Sequence, residues 1–159
     1  MAESVSSSEV VKPSRARRAF VLDAFAALLS LVGLTDALYL TIQHVTGQSV
    51  RCTVIAGCSE VLSSSYATVG NVPLAALGAI AYFTAFSLAT LSAFGYTSAR
   101  RLLAALVALM CLTSLWLLYV QAFIIEHFCQ FCLLSAAVTF CLTAVVIAGL
   151  LLQRHARSK

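Results

Sequence analysis

The chain has 159 residues, of which 61% are hydrophobic and only 10% charged, with a formal net charge of +4; its mean hydropathy is +0.97. Water-soluble domains carry about 45–50% apolar and about 25% charged residues, so a soluble fold and extended disorder are both excluded. The length allows one domain, and the location of the basic residues decides what the positive charge means.

Residues 1–18 are rich in Ser and carry Lys12, Arg15, Arg17 and Arg18, which reads as a disordered basic tail. A spanning helix needs about 20 apolar residues, and 19–44 supplies the first such run, interrupted by Asp23 near one end and Asp36 near the middle. The run is longer than the roughly 7–15 residues of a signal-peptide core and has no convincing cleavage site, so it is expected to be an uncleaved span. A loop over 45–72 follows, with Arg51, Cys52 and Cys58. Within it, 59–68 alternates polar and apolar residues, as a short helix lying in the membrane interface would. Pro73 opens a second span over 73–94, since proline is tolerated in the first turn of a helix. Ala81, Ala85 and Ala89 give this span a small-residue packing row. Arg100 and Arg101 precede a third span, 102–124, which holds Cys111 and Trp116. A short loop, 125–128, leads into Cys129-Gln130-Phe131-Cys132, which opens a fourth span over 129–152 that also holds Cys141. Residues 153–159 form a second basic tail. The expected fold is all-α, a four-helix membrane bundle over 19–152.

With four spans, the basic clusters around Arg15, Arg100 and Arg154 fall on one side of the membrane. The positive-inside rule makes that side cytoplasmic. The charge is therefore a topology signal and gives no support to nucleic-acid binding. Both loops holding Cys52, Cys58, Cys129 and Cys132 reach the outer face, where disulfides persist. A C-x-x-C at a helix start has both thiols on one face, and the positive end of the helix dipole favours a thiolate. Cys52 and Cys58, in a loop with Gly47 and Gly57, form a second and movable pair. Fixed and movable dithiols together suit a relay that works through mixed disulfides. Two structural disulfides stapling the outer loops are the alternative, which would make the protein a non-enzymatic scaffold. A four-cysteine zinc site fits poorly with a C-x-x-C at the very start of a spanning helix, so no metal is expected. Cys111 and Cys141 read as packing residues. Asp36 is a candidate proton relay or a structural polar residue. His44 and His127 lie near the outer surface; His127, two residues before Cys129, either supports a thiolate there or is a plain interfacial histidine. Trp116 is expected to pack rather than to stack on a ligand.

Taken in order, Cys52 and Cys58, the run from Val61 to Ala67, the Gly70-Asn71-Val72-Pro73-Leu74 segment, Leu77-Gly78 and the Cys129–Cys132 motif resemble the bacterial form of the vitamin K epoxide reductase family. The resemblance extends over about 19–152. It implies a thiol:quinone oxidoreductase in a bacterial plasma (inner) membrane, with both termini cytoplasmic and menaquinone or ubiquinone as electron acceptor. It also implies a separate DsbA-like or thioredoxin-like secreted partner, since the chain ends soon after the fourth span. By the same resemblance Cys132 faces the quinone, Cys129 receives the loop cysteine Cys58, and Cys52 meets the partner. Ser64 then matches a hydroxyl that hydrogen-bonds a quinone carbonyl. Two positions depart from the vertebrate enzymes of the family, which have a tyrosine where this chain has Ala136 and an asparagine where it has Leu74. Both changes remove polar contacts to the head group, which favours plain quinone reduction over epoxide reduction.

Overall fold

The computed structural model describes residues 13–47, 58–63, 67–70 and 72–157. Helix α1 (Pro13–Val45) is followed by a short α2 (Cys58–Ser63) and a two-stranded antiparallel ladder of β1 (Thr68–Val69) and β2 (Val72–Pro73). Thr68 pairs with Pro73 and Val69 with Val72. Three further helices complete the chain: α3 (Leu74–Ala93), α4 (Thr97–Val120) with a π-helical turn at its end (Gln121–Ile125), and α5 (Gln130–Arg157). Four helices are long and apolar enough to cross a membrane, over Arg17–Val45, Leu74–Ala93, Thr97–Ile125 and Gln130–Leu152. The all-α four-helix membrane bundle expected from the sequence is the observed fold.

Four boundaries differ from expectation, each for a local reason. Helix α5 runs to Arg157, through residues expected to form the second basic tail, because Gln, Arg and Ala are good helix formers. Helix α1 begins at Pro13, so the last residues of the expected tail are helical. Proline suits the first helical position, and the Arg and Ala residues after it are strong helix formers. Helix α4 begins at Thr97 rather than 102, which puts Arg100 and Arg101 in its first turns. The connection shrinks because Gly95, at φ +94°, takes a backbone conformation open mainly to glycine and reverses the chain at once. The short helix of the outer loop spans Cys58–Ser63 and stops before 68, where Thr68 already belongs to the ladder.

Helix α1 packs on α3 and α5, and α4 packs on the same two helices. The ring order is therefore α1–α3–α4–α5, with α1 and α4 diagonal. The outward surface is apolar, with Phe20, Leu28, Ile80, Leu112 and Phe123 all exposed. Such a surface suits lipid, in which helices satisfy their own backbone polar groups. Ala85 and Ala89 of α3 are fully buried against Ala26 of α1 together with Leu103, Val107 and Leu142. Ala81, the third residue of that row, is half-buried. Small side chains at these positions let helix backbones approach closely where no hydrophobic effect drives association.

Two polar features fix the bundle at different depths. Midway along it, the Tyr82 hydroxyl is within 2.9 Å of the Ser135 carbonyl, the Ser135 hydroxyl and the Thr139 hydroxyl, which ties α3 to α5. The Tyr82 ring packs closely against Gly33 of α1, where an added Cβ would sit 2.3 Å from a ring carbon. Gly33→Ala is therefore expected to push the ring aside, break these hydrogen bonds and destabilise the protein by about 1–3 kcal/mol. Thermal unfolding in detergent measures this, and an unchanged midpoint would contradict it. At the end near the α3–α4 connection, Asp23 is only 8% exposed, although its place in the sequence suggests an interfacial residue. Arg100 forms an ion pair with it, Ser92 donates to its carboxylate at 3.1 Å, and Arg100 Nε donates to the Ser92 hydroxyl at 2.8 Å.

Candidate functional site

The site forms at the opposite end, where α4 turns into α5. The π-helical turn rotates Gln121 inwards, and a π-turn of this kind is common at functional positions. Glu126 then takes a left-handed conformation at φ 57°, an uncommon choice for a non-glycine residue that brings the chain back within a few residues. Cys129 is the last residue before α5, and its carbonyl accepts the N–H of Leu133 at 3.0 Å. That is the position of a helix N-cap, whose side chain faces the unpaired N–H groups two and three residues on. Here that side chain is a thiol, and Cys132, on the first turn, lies against it.

The Cys129 thiol is held well below the usual range, at about 7. The chief cause is a hydrogen bond from the Cys132 thiol; burial opposes it, and the N–H groups of Cys132 and Phe131 add to the lowering. Expected from this is a thiolate absorbance near 240 nm, present in the reduced protein and absent in Cys129→Ser, that rises with a midpoint near pH 7. A midpoint close to that of a free thiol, about 8.5, would refute the assignment. The sign follows directly: above pH 7 Cys129 is ionised and nucleophilic, and below it the proton returns and attack slows.

Cys58, at the start of α2, is disulfide-bonded. It is 1% exposed and shares a buried cluster with Cys129 (0% exposed), Leu40 and Val61. Cys132 and Phe131 pack against the same cluster, and the Phe131 ring meets Tyr39 of α1 with centroids 5.2 Å apart. Cys111, Cys129, Cys132 and Cys141 are free. The fold thus brings Cys58, Cys129 and Cys132 together, while Cys111 is half-buried and Cys141 exposed along the helices. Cys52 and Ser64 lie outside the described residues. No group of three or more His, Cys, Asp or Glu side chains that could hold a metal is found among the described residues.

Below the cysteines a cavity opens between the helices. Cys132, Ser135 and Ala136 line it from α5, Asp36 and Leu40 from α1, and Gln121 from α4. Leu74, at the start of α3, and His44 also border it, so the two departures noted in the sequence, Ala136 and Leu74, both face this space. Its polar groups are few, and one is unpaired: Asp36 is 8% exposed, and its Oδ2 has no hydrogen-bond partner. His127 is exposed, with Nδ1 2.9 Å from the Ile125 carbonyl, and is not part of the cavity wall. Trp116 is exposed on the outside of α4 and stacks on Tyr119; it neither packs in the core nor lines the cavity.

Sequence reasoning missed Gln121. It is 3% exposed, and its Oε1 accepts the Cys129 N–H at 3.0 Å. One signal was available: it is the lone amide in the uncharged stretch 102–125, and polar residues inside a membrane are rarely incidental.

Four apolar helices, with free thiols and a cavity gathered at one end, fit a membrane oxidoreductase. The model of the vitamin K epoxide reductase family matches residues 24–147, most of the chain. This protein belongs to that family, which is associated in general with quinones and with thioredoxin-like partners.

Proposed function

We propose that the protein is a thiol:quinone oxidoreductase that takes electrons from a secreted DsbA-like or thioredoxin-like dithiol and supports disulfide formation outside a bacterial plasma membrane. The observation that carries this reading is the burial of Cys58 and Cys129 in one cluster, with Cys132 lining the adjoining cavity. Cys129 has a cysteine partner on each side, one leading to the loop and the other to the cavity. A structural staple needs no such junction, and the free Cys129 and Cys132 also favour a relay over a scaffold.

In the proposed sequence the partner reduces the Cys52–Cys58 disulfide by exchange. The Cys58 thiolate then attacks Cys129 in an oxidised Cys129–Cys132 pair, forming a Cys58–Cys129 bond and releasing Cys132 as the thiolate. Cys52 attacks Cys58, the Cys52–Cys58 disulfide re-forms, and Cys129 leaves. Its lowered proton affinity makes it a good leaving group. Two electrons and two protons now reside on the Cys129/Cys132 dithiol.

The cavity fits a quinone head group: it is apolar, with a few convergent polar groups, and one buried carboxyl oxygen has no partner. A quinone bound there, menaquinone or ubiquinone, supplies the two-electron, two-proton sink that returns the pair to the disulfide. Cys132 presents its sulfur to the cavity, Asp36 holds or passes a proton at its wall, and the surrounding apolar side chains exclude water. Ser64 is the further contact that the family resemblance supplies. The test is quinone reduction by the purified protein in detergent, driven by a reduced DsbA-like protein. Turnover is the expected result; no turnover with either quinone, and cysteine pairs that resist mild reductants, would point to the scaffold.

A further inference from the structure

Gln121 has a feature the relay does not use. Its Oε1 is committed to the Cys129 N–H at 3.0 Å, and because an N–H requires an acceptor, this contact fixes which end of the amide is oxygen. The other end, Nε2, has no protein partner among the described residues, although the residue is 97% buried and lines the cavity. Because Gln121 lines the cavity and its oxygen is already engaged, an acceptor on a cavity occupant is a partner its donor can reach. Asp36 Oδ2, on the diagonal helix α1, is a buried side-chain oxygen without a partner among the described residues.

The geometry points to Gln121 as the residue that recognises the cavity occupant, its Nε2 donating to a carbonyl oxygen of the ring while its Oε1 holds the backbone of Cys129. Resting on the quinone reading above, this names how the head group is registered against the nucleophile. A single side chain spans both, so an occupant bound to Nε2 stands at a fixed place relative to the Cys129–Cys132 turn. Gln121 is a positioning residue: it carries neither electrons nor protons. The nearby Ala136 and Leu74, also on the cavity wall, offer no polar side chain for this role.

The test is equilibrium binding in detergent to the full chain with Cys132→Ser, which prevents turnover. Two probes are compared: menadione, a 1,4-naphthoquinone, and 2-methylnaphthalene, which has the same rings and methyl group without the oxygens. Gln121→Leu is expected to weaken menadione about tenfold, as loss of one buried hydrogen bond does, and to leave 2-methylnaphthalene unchanged. Equal losses for both probes, or none, would overturn the proposal, because the side chain would then only shape the cavity or play no part.

Gln121→Glu covers the case in which the leucine variant fails to fold. It keeps an oxygen for the Cys129 N–H but, once ionised, has no donor. Menadione binding by this variant is expected to fall as pH rises and to return on acidification, with 2-methylnaphthalene flat throughout. A pH-independent menadione affinity would again overturn the proposal. Failure of menadione to bind the Cys132→Ser parent would overturn the quinone reading itself and this inference with it.

Discussion

Cys132→Ala is expected to lower quinone reduction by at least about a thousandfold, the scale seen when a reacting group itself is removed. The variant tests the junction rather than the fold. Cys132 is the cavity-lining member of its pair, and without it Cys129 has no second sulfur with which to form a disulfide. In that variant the Cys129 thiolate can still attack Cys58 of an oxidised loop pair. A Cys58–Cys129 bond should therefore accumulate and appear on non-reducing peptide mapping. Cys111→Ala is the matched control. Cys111 is free and half-buried, lies outside the cavity wall, and its removal should change turnover less than about twofold. Equal turnover in wild type and Cys132→Ala would sink the mechanism.

Asp36→Asn is expected to lower kcat for quinone reduction about a hundredfold, within the usual range for loss of a positioned acid or base. Asparagine keeps the shape of the side chain and its hydrogen-bonding capacity but cannot carry the transferable proton. Exchange between Cys58 and Cys129 is a thiol–disulfide step that does not need Asp36, so its rate should be preserved. That split separates proton handling from a structural role, which would depress both steps through loss of folded protein. If kcat falls less than twofold, Asp36 is a structural polar residue and the proton follows another route.

Much of the architecture was legible because a membrane imposes one-dimensional rules. The uncharged stretches 61–99, 102–125 and 128–153 leave little choice about where helices run, and Pro73 places the start of α3 to within a residue. Helix ends were less legible because they depend on single backbone conformations. Gly95 at φ +94° allows a connection so short that Arg100 joins α4 instead of a loop. The C-x-x-C motif announced itself through spacing, whereas the approach of Cys58 to Cys129 is a tertiary fact that no spacing encodes; only the family resemblance anticipated it. Gln121 and Tyr82 were overlooked for the same reason. Each is a polar residue on a largely apolar helix, and its meaning comes from a partner distant in the fold: Cys129 for one, Ser135 and Thr139 for the other.

The pairing of Asp23 with Arg100 has a consequence for the order in which the protein assembles. The two residues are 77 positions apart, so α1 and α3 are both synthesised before the arginine exists. Until α4 arrives, the carboxylate must remain in contact with water or headgroups, because burying it unpaired is strongly unfavourable. The α1–α3 hairpin therefore stays shallow at that end during biogenesis. Its final seating waits for the third span, which makes the ion pair a record of completed insertion as well as a bond.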